Sequence, residues 1–158
     1  MSRGVAVRIT IAVLAAGAMI GGPIAAASAS DLTIKIALVR AAPGLRRSDL
    51  RLRAAFTRYA NDHRAGPVIR AIRAQDRDLF ALRRKVRRSS ASTSAGGRAR
   101  RDIVKGLGLV LRSNYEVNDH LRKQRAAGLS PAQLRAAERL ANRGNTLYRR
   151  GVKLLARS

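Results

Sequence analysis

The sequence contains no cysteine and no tryptophan, two histidines, and nine acidic residues against 33 lysines and arginines. Each shortage excludes something. Without cysteine there is no disulfide framework, no thiolate metal site, no cysteine nucleophile and no cysteine-linked lipid anchor. The histidines, His63 and His120, stand apart in the chain. Five aromatics (Phe56, Tyr59, Phe80, Tyr115 and Tyr148) read as core or flank residues, and no base-reading motif accompanies them. No sequence-specific nucleic-acid partner is therefore expected.

Catalytic patterns are equally scarce. There is no glycine-rich phosphate loop and no nucleophile-elbow serine. Gly106-Leu107-Gly108 falls inside a helical pattern with no strand before it. Glu116, Asp119 and His120 share a helix face at i, i+3 and i+4. Carboxylate bundles that bind metal use Glu-x-x-His spacing from several helices, whereas Glu116 and His120 are four apart. Arg112 and Lys123 stand four residues from Glu116 and Asp119, so surface ion pairing accounts for the carboxylates. Asp76 and Asp78, two apart between Arg73 and Arg77, read as local charge partners on different faces. The expectation is a protein that is not an enzyme, with no cofactor and no metal.

What the chain does have begins at its N-terminus. Arg3 and Arg8 form a short basic region, and Ile9 to Ile20 is an uncharged, mostly apolar run. Gly21-Gly22-Pro23 ends any helix there, and Ala27-Ser28-Ala29 supplies the small residues of a signal-peptidase site. Cleavage is expected after Ala29, with Ala25-Ala26-Ala27 a second acceptable site. Residues 1–29 thus read as a cleaved signal peptide, and 30–158 as the mature domain, exported to the cell envelope or the extracellular space, with no transmembrane anchor after cleavage. The 129 residues that remain keep a formal charge of +22, the total of +24 less Arg3 and Arg8. That length suits one domain burying roughly two-thirds of its unfolded surface.

Helical punctuation divides the mature chain. Residues 32–39 alternate Leu32, Ile34, Ile36 and Leu38 against Thr33, Lys35 and Ala37, a period-two pattern that normally marks a strand. No second strand candidate exists to pair with it, so a short helix ending before Pro43-Gly44 is expected. A second helix is expected over 48–63, capped by Ser48, with Asp49 at its positive end and Leu52, Phe56 and Tyr59 inward. A third, with Pro67 in its first turn, carries Ile69, Ile72, Leu79, Leu82 and Val86. Ser89 to Gly97 reads as a loop by composition. A fourth helix, about 98–127, turns Ile103, Leu107, Val110, Leu111, Val117 and Leu121 inward, and Gly128 stops it. Ser130-Pro131-Ala132-Gln133 then combines a cap, a first-turn proline and a capping-box glutamine.

The last helix, Pro131 to about Ala156, repeats Leu140, Leu147 and Leu154 beside a row of Ala137, Gly144 and Gly151. Glycines inside a helix are unfavourable by about 1 kcal/mol each against alanine, so that row implies close approach by a neighbouring helix. The short connection at Leu129-Ser130 makes the last two helices an antiparallel hairpin. The fold class expected is all-α, a bundle of four to five helices.

One charge pattern stands out. Arg83, Arg84, Lys85, Arg87, Arg88, Arg98, Arg100 and Arg101 fall in a stretch with no acidic residue between Asp78 and Asp102. Arginines that open a helix oppose its dipole, and an anionic ligand relieves that repulsion. With Arg149, Arg150 and Lys153 of the last helix, these residues are the candidate site for an anionic polymer or surface: DNA, an acidic envelope glycan or anionic lipid. The competing reading is a structural envelope protein that self-associates through the small-residue row of the last helix.

Overall fold

A computed structural model of the chain describes residues 29–123 and 129–157. Residues 1–28 of the expected signal peptide, Ala27 included, and the expected Gly128 stop lie outside the described residues, while Ala29 opens the first helix. Four helices follow in order: α1 (Ala29–Asp62), α2 (Ala65–Arg88), α3 (Ser94–Lys123) and α4 (Pro131–Ala156). No strand occurs among the described residues, and none of the described helices is long and apolar enough to cross a membrane.

The count is four because the two helices expected before residue 63 are one. Pro43 lies inside α1, exposed, and does not end it. A mid-helix proline removes one backbone bond and costs about 3 kcal/mol. Against that, Ile34, Leu38 and Leu45 continue into Leu52, Phe56 and Tyr59 as one buried stripe, and each such side chain contributes about 1.5–3 kcal/mol when buried. Ser48 is consequently no cap: its hydroxyl donates to the Gly44 and Leu45 carbonyls, 3.1 Å each, within the helix. Asp49 is buried and paired with Arg53 Nε at 3.1 Å rather than seated at a helix start. The actual stop is His63, left-handed at φ 53°, whose N–H donates to the Tyr59 carbonyl. Its ring meets Tyr59 edge-on at 6.0 Å.

The expected loop at 89–97 is shorter, because α3 starts at Ser94. Thr93 Oγ1 accepts from Gly96 N at 2.8 Å, which satisfies one of the orphan donors of the first turn. That cap is completed from another helix. Asp31, fully buried in the first turn of α1, accepts from Ser92 N at 3.2 Å and from Thr93 Oγ1 at 2.5 Å. The start of α4 is as expected: Gln133 N donates to Ser130 Oγ at 3.2 Å, and Ser130 N donates to Gln133 Oε1 at 3.0 Å.

α3 and α4 run antiparallel with their main chains in contact, through small residues seven apart on both helices. Gly151 lies against the Ala99 carbonyl, Gly106 against the Gly144 carbonyl, and Ser113 Oγ donates to the Ala137 carbonyl at 2.7 Å. The row Ala137, Gly144, Gly151 is therefore consumed inside the molecule and is no self-association surface.

Two apolar clusters fill the bundle. One gathers Ile34, Leu38, Leu79, Leu82, Ile103, Leu107 and Leu155; the other Leu52, Phe56, Val68, Ile72, Val117 and Leu121. Between them, in every helix, lies a buried polar residue or pair: Ser48 and Asp49, Gln75 with the half-buried Asp76 beside it, Ser113 and Asn114, Asn145. Asn114 Nδ2 donates to Gln75 Oε1 at 2.9 Å and to Asp76 Oδ1 at 2.8 Å, joining α2 to α3 across this layer.

Candidate anionic-polymer interface

Because neighbouring helices run antiparallel, the C-terminus of α2, the N-terminus of α3 and the C-terminus of α4 meet at one end of the bundle. All eleven candidate basic residues lie there. Arg84, Lys85, Arg87 and Arg88 are exposed on the last turn and a half of α2. Their charge suits the negative end of that helix dipole. Arg98 and Arg101 are exposed in the first two turns of α3, and Arg149, Arg150 and Lys153 in the last turns of α4.

Three of the eleven also hold the fold together. Arg83 Nε donates to the Val104 carbonyl at 3.2 Å, and its guanidinium lies over Gly108. Arg100 Nη1 donates to the Ser89 carbonyl at 2.8 Å, fastening the α2–α3 turn. Arg150 grips Asp102 bidentately, with Nε–Oδ2 2.6 Å and Nη2–Oδ1 2.8 Å. The hydrogen bonds from Arg150 hold the Asp102 carboxyl below its usual range. Arg98, Arg101 and Arg150 line an open cleft of about 440 Å³ with Asp102 and Leu154. Its three guanidiniums against one carboxylate leave it a net positive recess.

The acidic residues sit elsewhere or are already engaged. Asp31 is buried in the α3 cap and Asp102 in the Arg150 pair. At the opposite end, Glu116 pairs with Arg112 at 3.2 Å and Asp119 with Lys123 at 2.8 Å, as their spacing predicts. His120 Nδ1 lies 3.2 Å from Gln133 Nε2, on the amide whose oxygen closes the capping box. No cluster of three His, Cys, Asp or Glu side chains suited to a metal ion occurs among the described residues. Asp76 departs from expectation. It turns inward to Asn114 instead of serving Arg73 or Arg77, and burial raises its pKa against the opposing Asn114 hydrogen bond.

Sequence reasoning placed the basic residues and missed two aromatic ones. Phe56, Tyr59 and Tyr148 are buried, and burial pushes the Tyr148 hydroxyl up to about 12. Phe80 and Tyr115 are 56% and 67% exposed. The signal was available: Phe80 falls off the stripe Ile72, Leu79, Leu82, Val86, next to Leu79 rather than three or four residues from it. No family model matches the sequence, and no curated protein or solved structure matches it either.

Proposed function

We propose that this chain is an exported, non-enzymatic protein that binds anionic polymers or surfaces through the basic end of its bundle. The observation that carries the reading is convergence: three helix ends bring Arg84, Arg87, Arg88, Arg98, Arg101 and Lys153 to one exposed end, where Asp102 is already paired. Binding would proceed by displacement of counterions from the polymer. With six to ten phosphates neutralised, affinity for DNA falls by about 10³ to 10⁵ between 50 and 200 mM salt.

The test is titration of the purified protein with a labelled DNA duplex over a salt series. Replacing Arg84, Arg87 and Arg88 with glutamine should lower the salt slope by about one unit for each phosphate no longer neutralised. These three are the right targets because Arg83 and Arg100 also hold backbone carbonyls. A slope unchanged in the triple variant sinks the site, and no binding to any polyanion at low salt sinks the function.

A structural, self-associating envelope protein is a second reading, and one observation favours it. Ile36, Val39 and Leu50 are exposed on the outer face of α1 by 40%, 52% and 55%. A concentration-independent monomer mass in sedimentation removes it.

A further inference from the structure

Phe80 and Tyr115 are large rings left in water by a chain that buries its other three aromatics. Each stands on the rim of the same groove. On α2, Asp76, Phe80, Arg83 and Arg87 follow at steps of four, three and four, which makes them one ridge. Asp76 and Arg83 of that ridge both bond to α3, so the ridge borders α3 along its length. On α3, Val104, Gly108, Leu111 and Tyr115 form the matching ridge, and Arg83 lies across its first two members.

The Arg83–Val104 and Asp76–Asn114 bonds fix the level of each ring. Phe80 stands opposite about residue 109, six residues from Tyr115, which is roughly 9 Å along the groove at 1.5 Å per residue. A strand whose bases stay stacked keeps the duplex rise of roughly 3.4 Å per nucleotide, and that span then matches two to three nucleotides.

The charge around the rings has the sign such a strand needs. Arg77 precedes Phe80 by three residues, Arg84 follows it by four, and both are exposed. Arg87 continues the ridge toward the basic end, while Arg112, three residues before Tyr115, is already paired with Glu116. From these placements we infer that the α2–α3 groove binds single-stranded nucleic acid without sequence preference, its bases stacking on Phe80 and Tyr115 and its phosphates lying along Arg77, Arg84 and Arg87.

This rests on the anionic-polymer reading and narrows it. Acidic glycans and polyphosphate have no flat π-face to lay on a ring, and a duplex keeps its base faces inside the stack. A lipid surface would seat the rings in hydrocarbon, and that would strip the half-buried Asp76 and Arg83 beside them of the water they still touch.

The experiment is fluorescence anisotropy of the purified protein with a labelled 20-nucleotide oligothymidylate at physiological salt. Inorganic polyphosphate, a DNA duplex and anionic phosphatidylglycerol vesicles are measured beside it. Phe80→Ala and Tyr115→Ala should each weaken oligothymidylate binding by about 5- to 150-fold, the range of one base–aromatic stack. Polyphosphate affinity should stay the same. Phe80→Tyr should keep strand affinity, because the ring is retained, and unchanged melting of each variant shows the fold intact.

If the alanine variants bind the strand as the parent does, or lose strand and polyphosphate affinity equally, the stacking groove is overturned and the anionic-polymer reading stands. If vesicles are bound in preference and Phe80→Ala abolishes that, a lipid surface takes its place. If none of the four probes binds even at low salt, the broader reading falls and takes this one with it.

Discussion

Gly106 and Gly144 each occupy the space in which the other's side chain would stand. A Cβ on Gly106 would lie 2.5 Å from the Gly144 carbonyl oxygen, and one on Gly144 would lie 2.7 Å from the Gly106 carbonyl oxygen. Neither obstacle is a flexible side chain; both are helix backbone. The glycines are unfavourable as helix residues and indispensable to the α3–α4 seam.

Gly106→Ala and Gly144→Ala should therefore destabilise the protein, although alanine is the better helix former by about 1 kcal/mol. Overpacking of this kind costs about 1–3 kcal/mol. Gly97→Ala is the control, since the nearest atom to its Cβ is the Arg101 guanidinium at 3.9 Å. That substitution should raise the urea midpoint while the seam variants lower it. A seam variant as stable as the parent would mean the helices do not touch there.

Asp31→Ala should cost about 1–3 kcal/mol, the worth of two hydrogen bonds at roughly 0.5–1.5 kcal/mol each. It strips the Ser92 N–H and the Thr93 hydroxyl of their shared acceptor and unfastens α1 from the start of α3. Hydrogen exchange at the first turn of α3 should quicken first. Loss of stability without local exchange at residues 92–96 would contradict the cap.

Ser130→Ala removes one half of the α4 capping box and should cost about 1 kcal/mol. Thermal or urea denaturation reads it directly, and an unchanged midpoint would count against the cap.

Two carboxylates give opposite pH signatures. The folded state raises the Asp76 pKa above 3.8 through burial, so the fold holds that proton more tightly than the unfolded chain does. Stability from this group is present below 3.8 and declines as pH rises through the folded value. Asp102 is shifted down by Arg150, so its contribution is present above 3.8 and fades as pH falls below it. Asp76→Asn keeps an acceptor for Asn114 and removes the first effect. Its stability relative to the parent should improve as pH is raised from about 3 to 6, measured by urea titration. A pH-independent difference would place Asp76 in water.

How much of this was legible in the sequence depended on how local each cause is. The start of α4 could be read because Ser130, Pro131 and Gln133 act on one another within four residues. The inward stripes of α2 and α3 followed from helical period alone. The start of α3 could not be read, because the acceptor that completes its cap, Asp31, lies more than sixty residues earlier. Continuity of α1 through Pro43 was hidden for a similar reason: it depends on what α2 offers on both sides of the proline. Ala137, Gly144 and Gly151 announced a close approach, but Ala99, Gly106 and Ser113 were needed to say to what. The basic residues were plain in the sequence; that Arg83, Arg100 and Arg150 each bind a specific oxygen was not.

The α3–α4 seam bears on the arginines it carries. Helices held apart by ordinary side chains can shift by changing rotamers, whereas helices separated by little more than hydrogen atoms have no such slack. Arg98 and Arg101 on one helix, and Arg149 and Arg150 on the other, are thus mounted on a pair that behaves as one rigid beam. The spacing between their backbones is set in advance, so any polymer that bound there would have to match a fixed comb of charge rather than mould a pliable one.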